Sequence, residues 1–278
     1  MAIRPADQVR SMFTAISPRY DFLNHLLSLG LDRSWREVLS ERVAAHLNER
    51  TRLFLEGKPI VGGASGPDTG CQNSPSEKTR SRPEAAPTSI RLIDVCCGTG
   101  DQSFSLATAV RPQVLAGVDF SGAMVALAVE KARRRGLNGT PSFFTGDALR
   151  LPFRDGSFDA ATVAFGLRNV ADYDAGLREM ARVVRPGGRV YVIEFTMPRT
   201  PVVRDAYGFY FRRVLPAVGA FISRSPDKAY SYLPDSVMKF PSPDLLAKQM
   251  EDAGLKDVTY ELLTFGTVSL HVGKKATH

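Results

Sequence analysis

The chain has 278 residues, 44% of them apolar and 23% charged, and a net charge of +7. This is the composition of an ordinary soluble protein of one or two domains. No apolar run reaches the roughly eighteen residues of a spanning helix, and the N-terminal residues lack the apolar core of a signal peptide.

Cys71 and the adjacent pair Cys96 and Cys97 give neither a disulfide framework nor a zinc spacing. A reducing cytoplasm and no metal are therefore expected. The basic balance is compatible with nucleic acid or an anionic membrane surface, although a solvated basic surface accounts for it more simply.

In chain order, residues 8–48 read as helix, interrupted around Leu29, Gly30, Leu31 and Asp32, within an N-terminal helical arm spanning 1–56. Residues 57–88 are rich in Gly, Pro, Ser and Thr and nearly free of large apolar side chains. Such a segment buries too little surface to offset its ordering entropy and reads as a low-complexity insertion. From 89 to 278, apolar runs alternate with helical segments, the pattern of a doubly wound parallel sheet. Strands are predicted at 91–96, 114–119, 142–145, 158–165, 189–195, 257–263 and 268–273, the last two close enough to pair antiparallel. Helices are predicted at 101–110, 122–135, 173–184 and 243–253, with Pro186, Gly187 and Gly188 as a stop and turn. Residues 200–233 lie outside this plan and read as a lid. Around it Arg199, Arg204, Arg212, Arg213 and Arg224 alternate with Tyr207, Phe209, Tyr210, Phe211 and Phe221.

The stretch richest in chemistry follows the first predicted strand: Asp94, Val95, Cys96, Cys97, Gly98, Thr99, Gly100 and Asp101. Gly98 and Gly100 suit a sharp turn that brings backbone close to a ligand outside the carboxyl ends of the strands. A dinucleotide fold would carry a third glycine where this chain has Ser103, and would set pyrophosphate on the helix N-terminus. Two carboxylates, Asp94 and Asp101, would repel pyrophosphate and attract an ammonium and a sulfonium. Asp119 ends the second strand at the spacing of a ribose-binding acid. Asp147 and Ala148 follow the third strand, placed for an adenine amino group and ring. Each Asp can also be a cap or turn residue. Three at successive strand ends point to S-adenosylmethionine and to an α/β, Rossmann-like, seven-stranded methyltransferase fold.

After the fourth strand, Phe-Gly-Leu-Arg-Asn-Val at 165–170 offers a cation and an amide rather than the stacked tyrosine of amine methyltransferases. This stretch resembles a signature of the menaquinone/ubiquinone biosynthesis C-methyltransferase family. So do Tyr-Asp-Phe-Leu-Asn at 20–24, Ser-Leu-Gly-Leu-Asp-Arg-Ser-Trp at 28–35, Leu-Pro-Phe at 151–153, Val-Arg-Pro-Gly-Gly at 184–188 and Tyr-Ser-Tyr-Leu-Pro-Asp-Ser at 230–236. The resemblance spans nearly all of the chain except 57–88. It implies methylation of a ring carbon of a prenylated hydroquinone, with Thr99, Asp119, Asp147 and Ala148 touching the cofactor. The two cysteines and the stretch at 28–33 look more like the demethylmenaquinone branch; ubiquinone-type members tend to carry Ala-Gly-Gly where this chain has Cys96, Cys97 and Gly98. The family often has Ser where this chain has Ala164.

An aromatic carbon is a poor nucleophile until a ring hydroxyl loses its proton, and the enzyme must then hold that carbon in line with the methyl–sulfur bond. Arg168 is expected to stabilise the oxyanion, Asn169 to orient it and Tyr20 to flank it. Competing readings are an ion pair of Arg168 with one of the nearby acids, such as Asp172 or Glu179, and a core position for Tyr20. His25 and Glu194 are candidate bases without a motif; His46 and His271 read as structural. A lid of interleaved Arg and aromatics suits a lipid interface on the inner face of the cytoplasmic membrane, where a prenylated quinol resides, or a simple cover for the site. Methylation of another small phenol, an RNA-binding methyltransferase and a non-catalytic scaffold are the alternatives. The chain shows no added basic domain for nucleic acid, and its motif is intact. Self-association is left open.

Overall fold

Apolar runs buried on both faces are what a parallel sheet demands of its central strands, and seven strands join into one sheet whose two edge strands are more exposed. The structure, a computed structural model, describes residues 14, 17, 21, 24, 25, 28–55, 89–137, 139–210, 213 and 236–277. Tyr20, the expected insertion at 57–88 and most of the expected lid lie outside the described residues.

The strands are β1 (Arg91–Val95), β2 (Val114–Asp119), β3 (Ser142–Thr145), β4 (Phe158–Ala164), β5 (Val184–Phe195), β6 (Leu255–Leu263) and β7 (Val268–Lys275). Their order is β3-β2-β1-β4-β5-β7-β6. β1 to β5 run parallel, and β7 inserts antiparallel between β5 and β6. The order reverses at β1, so the glycine turn after β1 sits at the switch point where ligands bind in such sheets.

Helices α1 (Leu31–Leu55), α2 (Asp101–Val110), α3 (Gly122–Arg134), α4 (Tyr173–Val183), α5 (Pro201–Phe209) and α6 (Pro243–Asp252) complete the described elements, with short 3₁₀ turns at Leu167–Asn169 and Thr264–Gly266. α1 begins just after a turn at 28–30, where Leu29 and Gly30 take positive φ, matching the expected interruption. It continues past residue 48 to Leu55. Its buried residues Trp35, Leu39, Val43 and Leu47 recur every fourth position and pack with Leu92, Leu115, Tyr191 and Ile193 on one sheet face. Leu177 and Met180 of α4, with Leu246 and Met250 of α6, cover the other face against Ile93, Val95, Ala161 and Val163. The caps follow local chemistry: Asp172 accepts from the Ala175 N–H at the start of α4 (2.9 Å), and Ser242 accepts from the Leu245 N–H at the start of α6.

Several boundaries differ from the sequence reading, among them β6, which starts at Leu255 rather than 257, and β7, which runs to Lys275 rather than 273. β1 and β4 each stop one residue early, because Cys96 (φ 55°) and Phe165 (φ 58°) turn into the left-handed region. β5 starts at Val184 rather than 189: Val184 already pairs with Phe158, and the expected turn becomes an irregularity inside the strand. Gly188 is required there, since a Cβ would lie 2.4 Å from the Asp159 carbonyl oxygen and 2.6 Å from Val184.

Candidate active site

The turn from β1 into α2 rests on two left-handed glycines, Gly98 (φ 54°) and Gly100 (φ 89°). A Cβ on Gly100 would also meet the Phe143 ring at 2.9 Å, so both conformation and space demand glycine. Asp119 at the end of β2 braces this turn. Its Oδ2 accepts from the Gly98 N–H and its Oδ1 from the Ser121 N–H, both at 2.9 Å. Burial raises its pKa, with those two N–H groups opposing the shift. Each carboxylate oxygen keeps a second lone pair, as a ribose diol would need. Asp147 is exposed beyond β3 and accepts from the Leu149 N–H (2.9 Å), while Ala148 packs against the core beside it. Both acids thus hold local turns through backbone N–H groups.

The electrostatic expectation at the turn needs correction. Asp94 is 1% exposed and faces inward, accepting from Ser103 Oγ (2.6 Å) and Thr162 Oγ1 (3.0 Å). Burial pushes its carboxyl up to about 6, against the lowering effect of those hydroxyls. Ser103, noticed in the sequence only as a missing glycine, is thus the residue that ties α2 to β1. Asp101 is no bare charge either, because Lys131 of α3 donates to its Oδ1 (2.9 Å). Lys131 also donates to Thr99 Oγ1 (2.9 Å) and pairs with Asp21 Oδ2 (2.5 Å), and Thr99 donates to Asp21 Oδ1 (2.5 Å). This strut joins the glycine turn, α3 and the N-terminal segment. Sequence reasoning missed it because its members lie far apart in the chain.

Arg168 and Asn169 occupy the 3₁₀ turn after β4, at the same end of the sheet. Arg168 does form an ion pair with an acid, but with neither of the two examples, Asp172 and Glu179. Asp172 caps α4, and Glu179 is held by Arg182. The partner is Glu194 near the end of β5, which accepts from Arg168 Nη1 (2.9 Å) and from the Arg168 backbone N–H (3.2 Å). The pair is buried, at 8% and 0% side-chain exposure. Arg168 also donates to the Phe165 carbonyl and lies 5.4 Å from the Phe195 ring centroid. Asn169 is half-buried, its N–H held by the Gly166 carbonyl (3.0 Å). Burial raises the Tyr207 and Tyr173 pKa values, while the Arg168 charge lowers them.

Beneath this pair, Trp35 of α1 meets Phe165 and Phe195 at centroid distances of 5.7 and 5.8 Å, and those two rings lie 4.7 Å apart. Trp35 is itself fixed by its indole N–H, which donates to Thr264 Oγ1 (2.8 Å). The motif at 28–35 and the motif at 165–170 therefore form one aromatic floor. His25, a candidate base, is instead committed to Asp32 (2.8 Å) and lines a cleft of about 380 Å³ with Arg36 and Phe104. Burial raises the Asp32 pKa, but Ser28, His25 and Arg36 together outweigh it and hold the carboxyl below its usual value. His271 is buried against the Pro243 carbonyl (2.9 Å).

A doubly wound sheet whose seventh strand is antiparallel, carrying a glycine turn and acids at successive strand ends, defines an S-adenosylmethionine-dependent methyltransferase. The model of the ubiE/COQ5 methyltransferase family matches residues 2–59 and 76–275, interrupted inside the segment read as an insertion, and the chain belongs to that family. A protein of Geobacter sp. (strain M21) named ubiquinone/menaquinone biosynthesis C-methyltransferase UbiE is 37% identical over 97% of this chain and 97% of its own length. A Thermus thermophilus protein named demethylmenaquinone methyltransferase is 40% identical over 95% of this chain and 100% of its own length. Among solved structures, the Haemonchus contortus phosphoethanolamine N-methyltransferase 2 in complex with S-adenosyl-L-methionine shares the fold (TM-score 0.51, 14% identity, 68% of this chain and 49% of that one).

Proposed function

We propose that the protein methylates a ring carbon of a prenylated hydroquinone, converting demethylmenaquinol to menaquinol. The observation that carries this reading is the buried Arg168 guanidinium, set among aromatic side chains at the sheet end that holds the glycine turn. That environment suits an apolar ring that acquires one negative oxygen. The names of the relatives agree with it, and the ubiquinone-type acceptor is the second reading because one relative's name includes it.

When bound, S-adenosylmethionine would supply an electrophilic methyl group to the ring carbon and leave as S-adenosylhomocysteine, the ring carbon then losing its proton to water as the aromatic ring is restored. The donor set fits that cofactor. Asp119 has lone pairs for a ribose diol, Asp147 and Ala148 suit the adenine edge and face, and Gly98, Thr99, Gly100 and Asp94 form and brace the turn beside it. Arg168 favours the ionised ring oxygen and Asn169 orients it.

No helix among the described residues is long and apolar enough to cross a membrane. The acceptor is met at the bilayer surface through α5, where Val202 (77% exposed) and Phe209 (62%) project apolar surface beside Arg204. Pelleting with anionic liposomes that disappears at high salt is the expected behaviour; absence of binding at low salt refutes the surface contact. Transfer of labelled methyl to demethylmenaquinol, compared with the ubiquinone precursor, tests the acceptor. Faster transfer to the benzoquinol would refute the menaquinone assignment.

A further inference from the structure

Arg168 is the cation on which the proposed transfer depends, and the buried Glu194 carboxylate is bonded to it. Glu194 is 0% exposed at the end of β5, where β4 delivers the 3₁₀ turn. It grips Arg168 at two places, Oε2 on the guanidinium (2.9 Å) and Oε1 on the backbone N–H (3.2 Å). Oε2 also accepts from the Phe195 N–H (3.1 Å), which anchors the carboxylate to its own strand. The guanidinium is thereby fixed, and its planar fork loses the freedom a surface arginine keeps. Among the described residues, the titratable groups facing the pair come from three other places: Tyr173 of α4, Tyr207 of α5 and Cys96 just after β1. Burial raises all three above their ordinary values, so at neutral pH they add no charge to it.

Resting on the function proposed above, we infer that Glu194 is a positioning residue for the methyl transfer. It fixes the Arg168 guanidinium at the acceptor end of the sheet and, by matching its charge, sets how strongly a bound ring oxygen is drawn to ionise. A neutral quinol enters a site with no net charge from this pair, and the pair yields to the oxyanion only as that charge forms. The two effects are separable. Glu194→Gln keeps length and one acceptor oxygen but removes this carboxylate's negative charge from beside the guanidinium. Glu194→Asp keeps the charge but withdraws it by one methylene, so the charge balance survives and the aim does not.

The readout is the phenolate absorbance of a naphthol bound to the protein together with S-adenosylhomocysteine, titrated against pH. Glu194→Gln is expected to lower the ionisation point of bound naphthol by about one pH unit, a tenfold gain in phenolate at a given pH. Glu194→Asp is expected to leave that point close to wild type while kcat falls about tenfold or more at unchanged KM for the methyl donor. Arg168→Gln should raise the ionisation point. Equal ionisation in wild type and Glu194→Gln overturns the inference, as does full kcat in Glu194→Asp, the arm that decides if the glutamine variant does not fold. Failure of wild type to methylate quinols with the naphthol shift intact would condemn the acceptor assignment and support the role of Glu194. Methyl transfer without the shift would condemn that role and spare the acceptor.

Discussion

Asp119→Asn separates the structural role of this acid from its role toward the cofactor. The carboxylate accepts two backbone N–H bonds at 2.9 Å, from Gly98 and Ser121. A charge-assisted bond contributes about 1.5–3 kcal/mol, and asparagine can accept only one of the two, turning its amide toward the other donor. Burial already disfavours the charged form, which offsets part of the loss. A net destabilisation of about 1–3 kcal/mol follows, or a Tm lower by roughly 3–10 °C for a domain of this size. If both oxygens also hold the ribose diol, the variant surrenders one more charge-assisted bond in the complex. S-adenosylhomocysteine should then bind about tenfold to a hundredfold more weakly. Thermal melts of the free protein and calorimetric titration with S-adenosylhomocysteine measure the two effects separately. A lowered Tm with affinity within about threefold of wild type would refute the ribose assignment and leave Asp119 as a brace for the turn.

Gly188→Ala drives a Cβ to 2.4 Å from the Asp159 carbonyl and should cost at least about 1–3 kcal/mol, read from the urea midpoint. An unchanged midpoint would mean that β5 can start at residue 189. Lys131→Met removes the strut between Thr99, Asp101 and Asp21. Its partly exposed ion pairs contribute under about 1 kcal/mol, so the expected result is faster amide exchange at residues 98–102 with little change in Tm; unaltered exchange there would show that the turn stands without it. Acid stability tests two buried groups of opposite sign. His271 is pushed down to about 4 by burial, so its contribution is complete above pH 6.5 and is lost as pH falls toward 4. Asp94, pushed up to about 6 by burial, binds its proton first in the folded state and so favours folding as pH falls from 6 toward 3.8. Each effect amounts to about 3 kcal/mol at its limit, and in wild type they largely offset. Asp94→Asn should therefore lose about 2 kcal/mol between pH 7 and 5 by urea unfolding, against under about 1 kcal/mol in wild type. Equal slopes would refute the offset.

The strand positions, the glycine turn and the acids at strand ends were legible in the sequence because each has a local cause. A strand buried on both faces must be continuously apolar, and a left-handed turn needs glycine. The places where strands stop were less legible. Cys96 and Phe165 turn into positive φ at the crowded junction of β1 and β4, and nothing in their own chemistry asks for it. The early start of β5 is of the same kind, since Val184 pairs as soon as α4 ends because Phe158 lies beside it.

Partners of long charged side chains were decided by tertiary structure. Nearness in sequence nominated Asp172 and Glu179 for Arg168, but β4 and β5 are neighbours in the sheet, and that adjacency delivers Glu194 from 26 residues away. The same holds for Lys131, which meets Asp101 across 30 residues, and for Trp35, which floors the Arg168 turn from the N-terminal part of the chain. By itself the sequence determined which segments are buried and where the backbone must turn, since periodicity and residue type record those locally. Which charges meet, and so which acids are free to face a ligand, depends on the order in which strands lie side by side. That order is a property of the assembled sheet.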